Sequence, residues 1–76
     1  MKYYSIIIHN NKAILVLQHK DWIDAFASLL ESYNSTFQTE LGADTTSFYK
    51  LKEHNILHRD YDDDNFYTFQ IIEKTS

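Results

Sequence analysis

Hydrophobic residues are concentrated at the start of the chain in two runs that a pair of asparagines separates. The runs span residues 2–9 and 13–17, and both are rich in the β-branched, aromatic and aliphatic residues that fit a pleated strand. Asn10 and Asn11 suit the two central positions of a type I′ turn, because asparagine tolerates a positive φ better than most residues. The pattern therefore predicts a β-hairpin around which the rest of the chain is organised.

The length of the turn decides which side chains share a face of this hairpin, because side chains alternate along a strand. A two-residue turn places Ile7 opposite Ile14. One face is then apolar without a polar break, and we predict that it is the core: Tyr4, Ile6, Ile8, Ala13, Leu15 and Leu17. A register slip or a longer loop would exchange the two faces.

The opposite face of the hairpin has an apolar centre formed by Ile7, Ile14 and Val16, and Tyr3 lies on the same face. A sheet face in contact with water usually carries polar residues in alternation. A chain of 76 residues has little sequence left to form a second covering layer. We therefore expect this face to contact another molecule, either a partner protein or a second copy of the chain.

The hydrophobic period changes from that of a strand to that of a helix after Asp21. Asp21 suits a helix N-cap, because its carboxylate can accept a hydrogen bond from the first turn. The next apolar residues fall on one stripe at helical spacing: Trp22, Phe26, Leu29 and Tyr33. The stripe indicates a helix that packs on the core face of the hairpin.

The segment that follows this helix has two possible interpretations. Asp44 suits the N-cap of a second helix over residues 45–54, with Phe48 and Leu51 facing inward. The same stretch, residues 48–53, also alternates like a strand. We favour the helix and keep the strand as the alternative.

Two further apolar runs complete the predicted sheet. Residues 55–61 and 66–73 read as strands on either side of an acidic turn at residues 62–65. The predicted fold is therefore α+β, a four-stranded antiparallel sheet in the order ββα(α)ββ with one or two helices packed on one face. Because the chain has one glycine and no proline, it offers no linker composition, and residues 1–76 are predicted to form a single small domain.

Charge and composition narrow the partners that the chain can have. The net charge is −4, and residues 31–76 carry nine acids against four bases, so the chain lacks the basic stripe of a nucleic-acid binder. No segment approaches the ~20 apolar residues of a membrane span, and the first strand lacks the pattern of a secretory signal peptide. The absence of cysteine fits a reducing compartment. We expect a cytoplasmic protein that binds neither membranes nor nucleic acid directly.

The acidic turn resembles a calcium-binding loop only in part. Asp60, Asp62 and Asp64 have the spacing of the first three ligands of an EF-hand. The sixth position of such a loop is Asn65 in place of glycine, and the twelfth is Ile71 in place of glutamate. A solvated turn that discourages edge pairing is the better interpretation.

Histidines and hydroxyl groups are present without a spacing that identifies a reaction. His54 and His58 are four residues apart, as zinc ligands on a helix can be, but His58 falls in a predicted strand. There is no nucleophile elbow, no CxxC pair and no phosphate-binding loop. We therefore predict no metal, no cofactor and no enzymatic activity. A small metal-responsive or catalytic domain that uses the histidines is the least favoured alternative.

These features together favour a small acidic protein-binding module that occupies a basic surface of another protein, such as a nucleic-acid-binding enzyme. Acidic charge would speed the encounter, and buried apolar groups would hold the complex. Small acidic domains without motifs are common among phage-encoded inhibitors of host defences, including anti-CRISPR proteins, and among antitoxins and immunity proteins; the parallel is one of size and charge only. The predicted contact residues are Tyr3, Ile7, Ile14, Val16, Tyr61, Asp60, Asp62, Asp63 and Asp64.

Two other interpretations use the same residues. The apolar face of the first hairpin would also serve as the dimer interface of a structural homo-oligomer. The acidic cluster would also fit a decoy that imitates the phosphates of DNA, although one cluster is little support for that role.

Overall fold

The computed structural model describes residues 2–42 and 45–75. Four strands form one antiparallel sheet: β1 (Lys2–His9), β2 (Lys12–His19), β3 (Ile56–Asp60) and β4 (Phe66–Lys74). Between β2 and β3 the chain forms α1 (Trp22–Phe37), a 3-10 turn (Thr46–Phe48) and α2 (Tyr49–His54). The strand order is β2-β1-β4-β3, so the two hairpins meet along β1 and β4. The predicted α+β arrangement is confirmed.

The first hairpin has the predicted turn and an unpredicted irregularity. Asn10 and Asn11 have φ values of 48° and 69°, as a type I′ turn requires. The pairing then shifts by one residue, because Ile8 lies opposite Ala13 whereas Ile7 lies opposite Leu15. Ile14 is the extra residue of this β-bulge, so the predicted pairing of Ile7 with Ile14 is wrong.

The prediction of which hairpin face forms the core is wrong for β1, whereas Leu15 and Leu17 of β2 lie on the covered side as predicted, because the bulge shifts the register. Ile7 is 5% exposed and Ser5 is fully buried, because both lie on the side of the sheet that α1 covers. Their partners in β4 are Phe69 and Ile71, which are buried as well. In β4 the covered side carries Phe69 and Ile71, whereas the other side carries Thr68, Gln70 and Ile72, so the larger apolar side chains face the helix. The predicted core residues Tyr4, Ile6 and Ile8 are half-buried on the other side.

Helix α1 supplies most of the covering layer. Asp21 caps it as predicted, with its carboxylate accepting a hydrogen bond from the backbone N–H of Asp24. Phe26, Leu29 and Tyr33 are buried in the core, which confirms the predicted stripe. The helix continues to Phe37, four residues beyond Tyr33, the last residue of the predicted stripe.

The second helix completes the same core and confirms the favoured interpretation of the middle segment. Phe48 and Leu51 point inward and are 0% and 1% exposed. Asn55 ends α2 in the left-handed conformation, and its side chain accepts a hydrogen bond from the Trp22 indole N–H at 2.7 Å. This bond ties the beginning of α1 to the end of α2. Asp44, the predicted N-cap, lies outside the described residues.

Candidate interaction surfaces

The side of the sheet opposite α1 is an apolar surface on which no helix packs within residues 2–42 and 45–75. We call it the open face and define it by six side chains. Three belong to the central strand β1, and each of the other strands contributes one: Tyr4, Ile6, Ile8, Val16, Ile56 and Ile72. A groove of about 280 Å³ runs across it, lined by Tyr4, Ile6, Val16, Ile72 and Lys74. Val16 is 56% exposed, so the groove has an accessible apolar wall.

The two ends of the open face carry opposite charges. Lys2 and Lys74 are paired across β1 and β4 at one end. Asp60 is paired with Phe66 at the other end, where the chain turns from β3 into β4. Among the described residues the centre of the face has no Asp, Glu, Lys or Arg. Its apolar side chains lie with Gln70 and Thr68 of β4 between two lysines at one end and a carboxylate at the other.

An ordered acidic turn continues the negative end. We call Asp60 and Asp62–Asp64 the acidic tip. The Asp62 carboxylate accepts hydrogen bonds from the Asp64 backbone N–H and the Asn65 side-chain amide, both at 2.9 Å. These bonds, the Asn65 bond first, lower the pKa of Asp62 and hold it in the charged form. These hydrogen bonds therefore hold the Asp62 carboxylate in place within the turn.

The acidic tip is also attached to the first hairpin. His9 Nε2 and Asn65 Oδ1 are 2.8 Å apart, and the Asn10 side-chain amide donates to the Asp64 carbonyl at 3.0 Å. The Asn10 side-chain oxygen in turn accepts from the Phe66 backbone N–H. Neighbouring turns of the two hairpins thus form one rigid end of the sheet.

The residues predicted as one contact surface lie in different places. Tyr3 packs against the core and Ile7 is buried beneath α1, so neither belongs to an accessible face. Val16 is on the open face, whereas Ile14 is 56% exposed at the bulge. Tyr61 is 54% exposed, but its ring lies 5.6 Å from Phe37 on the helix side.

Arg59 organises the surface beside Tyr61. Its guanidinium lies 4.7 Å from the Phe37 ring centroid and 5.3 Å from that of Tyr33, and it donates a hydrogen bond to the Tyr33 hydroxyl. The cation is thus engaged by the aromatic cluster under the end of α1. Tyr61 extends this cluster toward the acidic tip.

Five of the six open-face residues were not among the predicted contact residues: Tyr4, Ile6, Ile8, Ile56 and Ile72. The first three were assigned to the core because the face of β1 was chosen from the first hairpin alone. The signal that could have found them lies in β4, where Phe69 and Ile71 share one side and Ile72 the other.

The histidines do not converge on a metal site within the described parts of the chain. His58 Nδ1 is hydrogen-bonded with the Thr68 hydroxyl at 2.8 Å, and His54 lies beside Glu53 on α2. No group of three or more His, Cys, Asp or Glu residues there could hold a metal ion.

One serine–histidine pair has the spacing of a nucleophile and its base. Ser5 Oγ lies 2.9 Å from His19 Nε2. Ser5 is fully buried between the sheet and α1, with Ser28 Oγ 3.5 Å away. A substrate has no access to this hydroxyl, and the pair instead satisfies a polar group within the core.

None of the helices in residues 2–42 and 45–75 has the length and apolar character needed to cross a membrane. Comparisons of the chain with protein-family models, with curated proteins and with solved structures found no match. The surfaces of the molecule are therefore the features that bear on its function.

Proposed function

We propose that the chain is a non-enzymatic protein-binding module that docks its open face on a partner protein. The observation that carries this proposal is an apolar sheet face without a covering layer in the described structure, with Val16 56% exposed at its edge. Tyr4 suits such a contact, since a tyrosine buries a large apolar area while keeping a polar group for hydrogen bonding.

The size of the open face indicates that it would not act alone. Four strands about 4.8 Å apart and about 25 Å long have a footprint of roughly 500 Å². A partner contributes about 800 Å² to a specific interface of standard size. The acidic tip adjoins the open face and would supply the remaining area.

The charges at the two ends of the open face define the chemistry of the partner. Its surface would be apolar at the centre, basic where it meets the acidic tip, and neutral or acidic opposite Lys2 and Lys74. Carboxylates at the tip would accelerate the encounter with a basic protein, and salt would reduce this effect. A nucleic-acid-binding enzyme has such a basic surface, and occupying it would make the chain an inhibitor of the anti-defence, antitoxin or immunity type.

Binding to a purified partner tests the proposal. Proteins retained by the tagged chain from its host would be purified and titrated by calorimetry against the wild type and two variants. Ile6→Lys places a charge in the centre of the open face, whereas Ile23→Lys changes an isoleucine that is 72% exposed on α1. We expect Ile6→Lys to weaken binding by about 100-fold or more and Ile23→Lys to have little effect.

Circular dichroism establishes that both variants are folded before binding is measured. Equal affinity of Ile6→Lys and the wild type would overturn the proposal. The acidic tip would be supported as a contact if high salt lowers the association rate of the wild type and if Asp63→Lys lowers the association rate to a similar extent.

A second candidate function is a structural homo-oligomer in which two open faces pack on each other. A two-fold axis parallel to the sheet and perpendicular to its strands would place Lys2 and Lys74 of one copy over Asp60 of the other. Opposite charges at the ends of the face favour this arrangement. It predicts a dimer of the purified chain that Ile6→Lys dissociates.

A further inference from the structure

The two edges of the sheet differ in how they are protected. β3 is five residues long and carries His58, Arg59 and Asp60, and α2 packs beside it. β2 is eight residues long, and no other strand in residues 2–42 and 45–75 pairs with its outer side. Its one formally charged residue is Lys12. Sheet edges that remain in water are usually short, charged, covered or bulged. β2 has Lys12 and the bulge at Ile14 in its first half, but residues 15–19 have no formally charged side chain and no strand on their outer side in the described structure.

Exposed apolar side chains are concentrated on the same strand. Ile14 and Val16 are each 56% exposed and Leu17 is 42% exposed, and these are three of the seven exposed large hydrophobic residues in the described structure. Val16 faces the open side and Leu17 the helix side, because they pair with Ile6 and Ser5 respectively. The apolar surface therefore wraps around the edge and belongs to neither face alone.

A groove follows this edge on the helix side. It has a volume of about 350 Å³ and lies between β2 and the outer flank of α1. Ile7, Ile14 and Leu15 form its apolar part, and Glu31, Ser32, Ser35 and Thr36 form its polar wall. An unpaired strand edge beside such a groove fits an added extended strand, which would use backbone hydrogen bonds for affinity and alternate side chains for packing.

The β2 strand of a second copy of the chain is complementary to this edge. The bulge removes Ile14 from the ladder, and the seven remaining positions are centred on Val16: Lys12, Ala13, Leu15, Val16, Leu17, Gln18 and His19. In an antiparallel pair about this centre, Val16 lies opposite Val16 of the second copy and Leu15 lies opposite Leu17. The outer positions pair Ala13 with Gln18 and Lys12 with His19.

Each of these pairs joins residues from the same side of the sheet. Leu15 and Leu17 both face the helix side, because their partners in β1 are Ile7 and Ser5. Leu17 of the second copy would then lie over the groove that Leu15 and Ile14 line. β2 contributes no carboxylate, so the acids that give the chain its charge of −4 lie on other elements.

We propose that β2 is the seam of a homodimer, in which a second copy pairs with it in antiparallel register about Val16. Two four-stranded sheets would join into one of eight strands, with the two open faces side by side on a single surface. The interface is isologous, since the same strand serves both copies. This inference concerns the edge of the sheet and does not depend on the function proposed for the open face.

Sedimentation equilibrium of the full chain over a range of concentrations tests the seam. We expect the wild type to dimerise and Leu17→Lys to weaken the dimer by about tenfold or more, because it places two ammonium groups in the groove contacts. Ile23→Lys is the matched control, since Ile23 is a more exposed apolar residue and lies on α1. It should dimerise like the wild type.

Cysteine cross-linking tests the register. The chain has no cysteine, so Val16→Cys introduces a single thiol on the proposed axis. Its Cα would lie about 5 Å from that of its copy, within the range of a disulfide. Gln18→Cys lies on the same side of β2, but its two copies would be about 14 Å apart, too far for a disulfide. Oxidation should link the first variant and leave the second unlinked.

The possible outcomes separate the seam from the other arrangements. A wild type that stays monomeric would overturn the inference and leave the open-face proposal intact. A dimer that Ile6→Lys dissociates and Leu17→Lys leaves unchanged would place the contact on the open face. It would overturn the proposed dimer interface along β2. If Leu17→Lys loses its helical and strand signals in circular dichroism, Ile14→Lys and the two cysteine variants decide the question.

Discussion

The two faces of the sheet have similar hydrophobic content but different surroundings. On the face beneath α1, Ile7, Phe69 and Ile71 are between 0% and 5% exposed. On the open face, Ile6 and Ile72 are half-buried, although they are the same residue type and adjacent in sequence. Hydrophobicity alone therefore does not decide which face a small domain covers. The covered face is the one that collects the larger side chains from both hairpins.

The largest predicted contrast between the faces comes from one lysine placed at two adjacent positions. Ile7→Lys would bury a charge without a partner beneath α1, which costs about 3–5 kcal/mol, a large share of the stability of a domain of this size. Ile6→Lys places the same charge on the open face, where water reaches it, and should cost about 1 kcal/mol. Urea denaturation followed by circular dichroism measures both values. Equal losses would mean that both faces are buried.

Much of the fold could be predicted from the sequence because its signals are local. Asn10 and Asn11 fix the first turn, Asp21 caps α1, and the stripe through Phe26 and Tyr33 defines the buried side of that helix. Each depends on residues within a few positions of one another. These local signals also predicted the correct number of strands and the order of strands and helices along the chain.

The side of the sheet that α1 covers could not be predicted in the same way. The bulge at Ile14 has no local signature, and it shifts the pairing by one residue. The covered side is also set by Phe69, which joins β1 only after the chain has closed a loop of about sixty residues. Ser5 is a polar residue on the covered side, and its burial is compensated by hydrogen bonds with His19 and Ser28, which lie far from it in sequence. The candidate contact surface therefore changed as well: of the residues predicted from the first hairpin, only Val16 lies on the open face.

The second contrast uses adjacent isoleucines in β4. Ile71→Ala removes a side chain that is 4% exposed and packed in the core, so we expect a loss of about 3 kcal/mol. Ile72→Ala removes the same atoms from the half-buried open face and should cost about 1 kcal/mol. Chemical denaturation with a constant m-value gives the comparison. If Ile72→Ala costs as much as Ile71→Ala only at high protein concentration, the open face is covered by a second copy.

A third and smaller contrast concerns one hydroxyl–histidine pair on each face. Ser5→Ala leaves His19 Nε2 without its hydroxyl partner in a part-buried site, and we expect a loss of about 1–2 kcal/mol. Thr68→Val removes the hydroxyl that bonds with His58, whose exposed ring can bond with water instead, so the loss should be about 0.5 kcal/mol. Thermal unfolding at neutral pH distinguishes them. A larger effect of Thr68→Val would show that His58 is buried by an additional contact on the open face.

The smallest effect is expected at the acidic tip, which continues the open face beyond β3. Hydrogen bonds from Asn65 and from the Asp64 backbone lower the pKa of Asp62 in the folded protein, so its ionised form stabilises the fold. This contribution is present above the ordinary aspartate pKa of about 3.9 and is lost as the pH falls through the lowered value. Asp62→Ala should therefore be slightly less stable than the wild type at pH 7, and the difference should disappear in acid.

Asp63→Ala is the matched control for this prediction, because it removes the same charge from the tip and leaves both Asp62 hydrogen bonds in place. Thermal unfolding of the two variants between about pH 2 and pH 7 covers the window in which Asp62 titrates. A pH dependence shared equally by both variants would mean that general repulsion among the carboxylates, rather than the hydrogen bonds of Asp62, governs the tip. The ordered geometry that we assign to the negative end of the open face would then have no energetic support.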